Sequence, residues 1–170
     1  MNRAATRRSA KATPFGRLRY SSAVTLVIAT AAMLAMTAKA VAQENEIREA
    51  MRATLAAWND GDFEAVAAHY APETRGFFLD GGILLRGFNL PGLQMAYAAG
   101  FRAGFEVRDI DVQLHGDLAV SVALLDGSLT LPGGEAQEGT WRYSEVRVKT
   151  GDAWRIVQYH FSPMTVPPAR

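Results

Sequence analysis

At 170 residues, with 49% hydrophobic and 21% charged residues, the chain has room for one ordinary globular domain, and its core needs neither metal nor disulfide. It contains no cysteine, which excludes thiol catalysis, disulfides and thiolate metal sites. The formal charge of +1 is unevenly spread: Arg3, Arg7, Arg8, Lys11, Arg17, Arg19 and Lys39 all precede Gln43 with no acidic residue among them, so the remainder is net acidic, which argues against a nucleic-acid surface.

The first 42 residues read as a signal peptide. A basic zone to Tyr20 leads into an uncharged apolar zone, Ser21 to Ala38, and then into small residues at cleavage spacing, Ala38-Lys39-Ala40 and Ala40-Val41-Ala42. Cleavage is expected after Ala42, where Gln43-Glu44-Asn45-Glu46 turns polar, giving a periplasmic or secreted protein with no membrane association afterwards. The competing reading is an uncleaved anchor, for which the apolar stretch is barely long enough. Thr6-Arg7-Arg8-Ser9 hints at twin-arginine export but lacks the bulky apolar residue that usually follows.

From Gln43 to Pro163 the pattern is that of a single domain, with residues 164–170 a flexible, proline-rich tail. Ile47, Met51, Leu55 and Trp58 recur at helical spacing. Asn59-Asp60-Gly61 ends that helix, and Asp62 caps a second one running through Phe63, Val66 and Tyr70 to a stop at Pro72. Gly76 to Leu79 and Ile83 to Arg86 read as a short hairpin about Asp80-Gly81-Gly82. Asn89 to Ala99 reads as a third helix with Pro91 in its first turn. Beyond Phe105 come four long strands, punctuated at His115-Gly116-Asp117, Pro132-Gly133-Gly134 and Gly151-Asp152. The predicted class is α+β: a cone-shaped, strongly curved antiparallel sheet with three helices packed on its concave side, where a pocket would form.

Two segments carry a family resemblance: Trp58-Asn59-Asp60-Gly61-Asp62 with Tyr70-Ala71-Pro72-Glu73, and the closing Trp154-Arg155-Ile156-Val157-Gln158-Tyr159-His160-Phe161-Ser162. They resemble the SnoaL-like branch of the nuclear transport factor 2-like superfamily, and the closing segment also looks like the end of the association domain of calcium/calmodulin-dependent protein kinase II. The resemblance covers roughly residues 46–163. It implies a cone cavity and a homodimer built on the open sheet face. It does not fix function, since this superfamily holds isomerases, cyclases, dehydratases, oligomerisation modules and binders. The family's ending often carries His where Gln158 stands, and no acidic catalytic residue of the isomerase or cyclase type is matched.

The expected ligand-binding residues are Trp58, Tyr70, Phe78, Arg142, Tyr143 and His160. His160 reads as a general base, a ligand hydrogen-bonder, or a structural histidine bonded to backbone or Ser162. Arg142 shares its strand face with Val146 and Val148, and reads as a carboxylate anchor or a rim salt bridge. A two-residue Gly151-Asp152 loop would set Tyr143 opposite His160; a three-residue loop from Thr150 would set Arg142 there. Trp58, Tyr70 and Phe78 would form an aromatic wall or plain core. Asp80 is a turn residue or a cavity acid; Glu145 pairs with Arg147, faces solvent, or acts as an acid. His69, His115 and His160 fall in no ligand-spaced cluster, so no metal is expected, and no cofactor either. The expected function is binding of a small carbonyl- or carboxylate-bearing molecule; the alternatives are a cofactor-free isomerase, cyclase or dehydratase, or an oligomerisation module with a vestigial pocket.

Overall fold

The structure is a computed structural model that describes residues 22–79 and 82–164, with side chains from Met36 onward. The basic zone, the Thr6-Arg7-Arg8-Ser9 segment, the Asp80-Gly81 turn and the tail beyond Met164 lie outside the described residues. The chain divides into two compact units, Met1–Thr37 and Ala38–Arg170, and the second holds the α+β domain.

Helix α1 is Ser22–Asp60, so the expected cleavage point after Ala42 falls within a continuous helix rather than ahead of one starting near Ile47. It stops where expected, at Gly61, which takes a φ of +72°. Helix α2 (Phe63–Ala68) is capped by Asp62, whose carboxylate accepts from the Ala65 amide at 3.0 Å. Helix α3 (Leu90–Ala98) is capped by Asn89, which accepts from the Gly92 amide at 3.1 Å.

The strands are β1 (Tyr70–Phe78), β2 (Leu85–Arg86), β3 (Arg102–His115), β4 (Leu118–Thr130), β5 (Ala136–Thr150) and β6 (Ala153–Pro163). They form one sheet in the order β2-β1-β6-β5-β4-β3. The β3-to-β6 meander is antiparallel, as expected from its turns.

Two expectations fail here. Tyr70 is not helical: it opens β1, which runs parallel to β6 with Tyr70 opposite Ile156. The Ile156 amide donates to the His69 carbonyl at 2.8 Å, and this long-range bond overrides the helical continuation. Pro72 sits inside β1, where the register with β6 shifts between Tyr70 and Arg75, so its missing N–H falls at an irregularity.

The second failure is the register at His160. The Gly151-Asp152 loop is the two-residue form, since Thr150 faces Ala153. A bulge then intervenes: Arg147 faces Ile156 but Val146 faces Gln158, leaving Val157 as an extra residue on β6. His160 therefore faces Ser144, and neither Tyr143 nor Arg142; Tyr143 faces Phe161 and Arg142 faces Ser162.

The helices pack on one face of the sheet. Met51, Leu55, Phe63 and Val66 bury against Phe105, Leu125, Leu129, Trp141, Tyr143, Ile156 and Phe161, with Leu93, Ala96 and Tyr97 of α3 packed on the same cluster. Asn59 fixes the end of α1 to β3 by a reciprocal pair, donating to the Phe105 carbonyl and accepting from the Phe105 amide, both at 2.8 Å. At Gly127 the two neighbouring strands approach so closely that a Cβ would strike the Gly104 carbonyl, and φ is +148°.

Candidate functional site

Alternation along β5 decides which side chains enter the interior. Trp141, Tyr143, Glu145 and Arg147 are all buried, whereas Arg142 is exposed and Ser144, Val146 and Val148 are half-buried on the other face. The inward set of β6 is Ile156, Tyr159 and Phe161, opposite Arg147, Glu145 and Tyr143. From β1, Phe78 lies beside Phe161 and Gly76 beside Tyr159. Gly76 must lack a side chain, because a Cβ there would stand 2.5 Å from the Tyr159 ring.

These residues enclose a chamber of about 40 Å³ between the helices and the sheet. Thr54, Leu55, Trp58, Tyr70, Phe78, Phe101, Ala103, Phe105, Leu129, Tyr143, Tyr159 and Phe161 line it. The walls are almost wholly aromatic or aliphatic. Phe161 stacks on Phe78 and on Trp141 at centroid distances of 5.1 and 4.9 Å, and Phe105 meets Phe161 edge-on at 5.3 Å. Trp58, Phe78 and Tyr159 also line an outer groove of about 390 Å³ formed with Leu85, Arg86, Phe88 and Leu93. The same three rings thus partition chamber from groove.

Four side chains form a polar floor. Arg147 donates from Nε to Glu145 Oε1 at 2.5 Å and from Nη2 to Glu145 Oε2 at 3.1 Å. Arg147 Nη2 also donates to Thr54 Oγ1 at 3.0 Å, and Thr54 donates on to the Ala50 carbonyl at 2.7 Å. The Tyr143 hydroxyl donates to Glu145 Oε2 at 2.8 Å. Glu145 and Arg147 have no exposed surface. Opposite charges two apart on a strand share a face, which is what lets the pair be buried together. Burial opposes the charge of Arg147, but the Glu145 carboxylate outweighs it, and the guanidinium pKa is raised. Burial, and then the Glu145 charge, push the Tyr143 hydroxyl well above its usual range. Burial raises Tyr70 as well, reinforced by Tyr159 and Glu145. His69, half-buried beside the floor, is lowered by burial and by Arg147.

Of the residues expected in the pocket, Trp58, Tyr70, Phe78 and Tyr143 come together around the chamber. Arg142 and His160 do not join them: both lie on the opposite face of the sheet, in a shallow depression with Asp109, Asp111, Val122 and Ser144. His160 is exposed, with its ring 6.1 Å from that of Phe77, and Arg142 Nη2 donates to the Pro163 carbonyl at 3.2 Å. The expected hydrogen bond from His160 to Ser162 is not formed: the two share the outer face of β6, but the Ser162 hydroxyl is buried without a hydrogen-bond partner among the described residues. Glu145 takes the pairing alternative, with Arg147, and Asp80 lies outside the described residues. Thr54, Phe101, Ala103 and Tyr159 escape the sequence reading. Tyr159 follows once β6 is bulged, and Thr54 follows from the face of α1 that carries Met51 and Leu55. Among the described residues no cluster of His, Asp or Glu has metal-ligand geometry, and no helix is long and apolar enough to cross a membrane.

The model of the SnoaL-like domain matches residues 47–167. The chain belongs to the SnoaL-like family. Solved structures agree on the fold of this SnoaL-like domain. An NTF2-like protein from Cytophaga hutchinsonii is 14% identical, with a TM-score of 0.62 over 72% of this chain and 98% of that one. An NTF2-like protein of unknown function from Pseudomonas putida is 25% identical, with a TM-score of 0.59 over 72% of this chain and 87% of that one. A ketosteroid isomerase-like protein from Erwinia carotovora atroseptica is 21% identical, with a TM-score of 0.56 over 71% and 95%. No functionally curated protein matches the sequence.

Mutation and pH both probe the floor. Arg147→Met should destabilise the domain by about 3–5 kcal/mol, because Glu145 is left charged and buried. Adding Glu145→Leu should recover a large part of that loss in urea unfolding; strictly additive losses would show that the two do not act as a pair. Alkaline pH tests the tyrosines. Above the ordinary tyrosine pKa of about 10 the unfolded chain gives up phenolic protons that the folded chain keeps, so stability is intact below that pH and falls above it, by about 1.4 kcal/mol per unit for each such tyrosine. Tyr143→Phe should remove one such increment from the slope of unfolding free energy between about pH 10 and 11.5, relative to the wild type.

Proposed function

We propose that the SnoaL-like domain binds a small, mostly apolar molecule in the interior chamber, reached from the outer groove past Trp58, Phe78 and Tyr159. The observation that carries this reading is the shared aromatic partition. Closed, the chamber has room for about two or three water molecules. Joined to the groove by a swing of those rings, it enters the range of ordinary ligand sites, about 300 Å³ or more. The carboxylate anchor expected of Arg142 is not available to a molecule in the chamber, so a carboxylate ligand is not part of the proposal. Proton-transfer chemistry gains no support from the floor: Glu145 already accepts from Tyr143 and twice from Arg147.

Ala103 lines the chamber. Ala103→Leu should fill it and weaken a neutral aromatic probe such as ethylbenzene, followed by ligand-observed NMR, by about tenfold or more, given the cost of overpacking a closed site. Circular dichroism should show the fold retained. Arg142→Ala and His160→Ala should leave the affinity within about twofold. The reverse pattern would move the site to the outer face and overturn the reading.

We propose further that the protein is exported and cut after Ala42, and that two copies pair through the outer sheet face. Asp109 and Asp111 on β3, across that face from Arg142 and His160 on β5 and β6, give it the charge pattern an isologous contact requires. Native mass spectrometry of periplasmic protein should give a dimer of chains beginning at Gln43. An intact leader would remove the cleavage claim, absence from the periplasm the export claim, and a monomer the pairing.

A further inference from the structure

The hydroxyl hydrogens of Thr54 and Tyr143 are spoken for, and with the chamber as the binding site, the reading on which this rests, that selects among ligands. A hydroxyl has one proton to give and two lone pairs to receive with. Thr54 gives its proton to the Ala50 carbonyl and receives one from Arg147 Nη2. Tyr143 gives its proton to Glu145 Oε2, an oxygen that also receives from Arg147 Nη2. The acceptor in each case cannot reverse the bond: a backbone carbonyl has no proton, and a carboxylate held by a guanidinium carries none. Thr54 and Tyr143 line the chamber, and Arg147 and Glu145, which lock their hydroxyls, do not. What either hydroxyl has left to offer a ligand is lone pairs.

We infer that the Thr54–Tyr143 end of the chamber is a hydrogen-bond acceptor, and that it selects ligands bearing a hydroxyl or N–H on a small apolar body over isosteres whose only polar atom is a carbonyl oxygen. A carbonyl there would set lone pair against lone pair and gain no hydrogen bond from either hydroxyl. The sequence alone leads to a carbonyl or carboxylate ligand, with Arg142 as its anchor; Arg142 lies on the outer face, and the Glu145–Arg147 pair leaves Tyr143 as an acceptor. Arg147 thereby acts as a positioning residue, without touching the ligand.

The test is a matched series on the full domain: 1-phenylethanol (a donor), acetophenone (a carbonyl acceptor of the same shape) and ethylbenzene (neither), each titrated by ligand-observed NMR. The alcohol should bind about tenfold more tightly than the ketone, the size of one hydrogen bond gained against one left unmade. Tyr143→Phe should bring the two within about threefold by removing the acceptor while keeping the ring. Should that variant fail to fold, Thr54→Val, on helix α1, should narrow the ratio in the same direction. Ketone binding as tight as alcohol, with ethylbenzene also bound, would overturn the acceptor assignment and leave chamber binding standing. No binding by any of the three, in wild type and Ala103→Leu alike, would overturn both. An alcohol preference unchanged in both Tyr143→Phe and Thr54→Val would place the acceptor elsewhere and refute the assignment.

Discussion

The buried pair of Glu145 and Arg147 sets terms that the rest of the domain must meet. Taking two full charges out of water costs several kcal/mol per ion, and their attraction offsets this only when geometry is good and the remaining donors and acceptors are satisfied. Here the carboxylate receives three hydrogen bonds, two from the guanidinium and one from Tyr143, and Thr54 takes another from Arg147, while Arg147 Nη1 is left without a partner among the described residues. Thr54 belongs to α1, so the pair also fixes the helix's rotation about its own axis. Turn α1 by one residue and Ala53 or Leu55 would meet the guanidinium in place of a hydroxyl. Met51 and Leu55 would at the same time leave the core cluster they fill. Apolar packing and polar satisfaction therefore specify one docking of the helix on the sheet.

The interior face of β5 follows from the same constraint, and it marks where local reading of the sequence stops. Helix caps at Asp62 and Asn89, the stop at Gly61, the turns at Gly116, Gly133 and Gly151, and the long meander are local, and each is legible in a few consecutive residues. Which face of β5 points inward is not local. Val146 and Val148 look like core and Glu145 and Arg147 like surface when each residue is judged alone. Judged as a pair, the charges cancel and can be buried, while the valines lie half-buried outside. Arg142 is drawn toward the pocket only through its valine neighbours, and it goes to the outer face with them.

His160 departs from expectation by a different mechanism. Its loop is the two-residue form, one of the two the sequence allows, but Val157 bulges, and a single extra residue shifts every later partner on β6 by one. The bulge is what lets Ile156 and Tyr159, three apart, share the inward face. Tyr70 shows a third kind of limit. Phe63 and Val66 continue helically toward it, and only a parallel neighbour in β6, some 86 positions later in the sequence, draws it into a strand. The aromatic wall of Trp58, Tyr70 and Phe78 is legible in spite of this, because a large ring finds the interior whether its backbone is helix or strand.

A chamber so nearly filled by its own walls still has a chemical character, and that character comes from the floor. Apolar rings give affinity without direction, so any selectivity must come from the few polar atoms that reach the chamber. Tyr70 and Tyr159 also line the chamber, but the hydroxyls of Thr54 and Tyr143 are the ones held by the ion pair, which gives them one polarity. A site meant to move protons needs a group free to change its protonation state, whereas this floor resists such change: the raised Tyr143 holds its proton, and the raised Arg147 holds its charge. The same electrostatics that make the floor a poor acid or base make it a fixed acceptor, and a fixed acceptor at the end of an aromatic chamber is a feature for holding a molecule in one orientation.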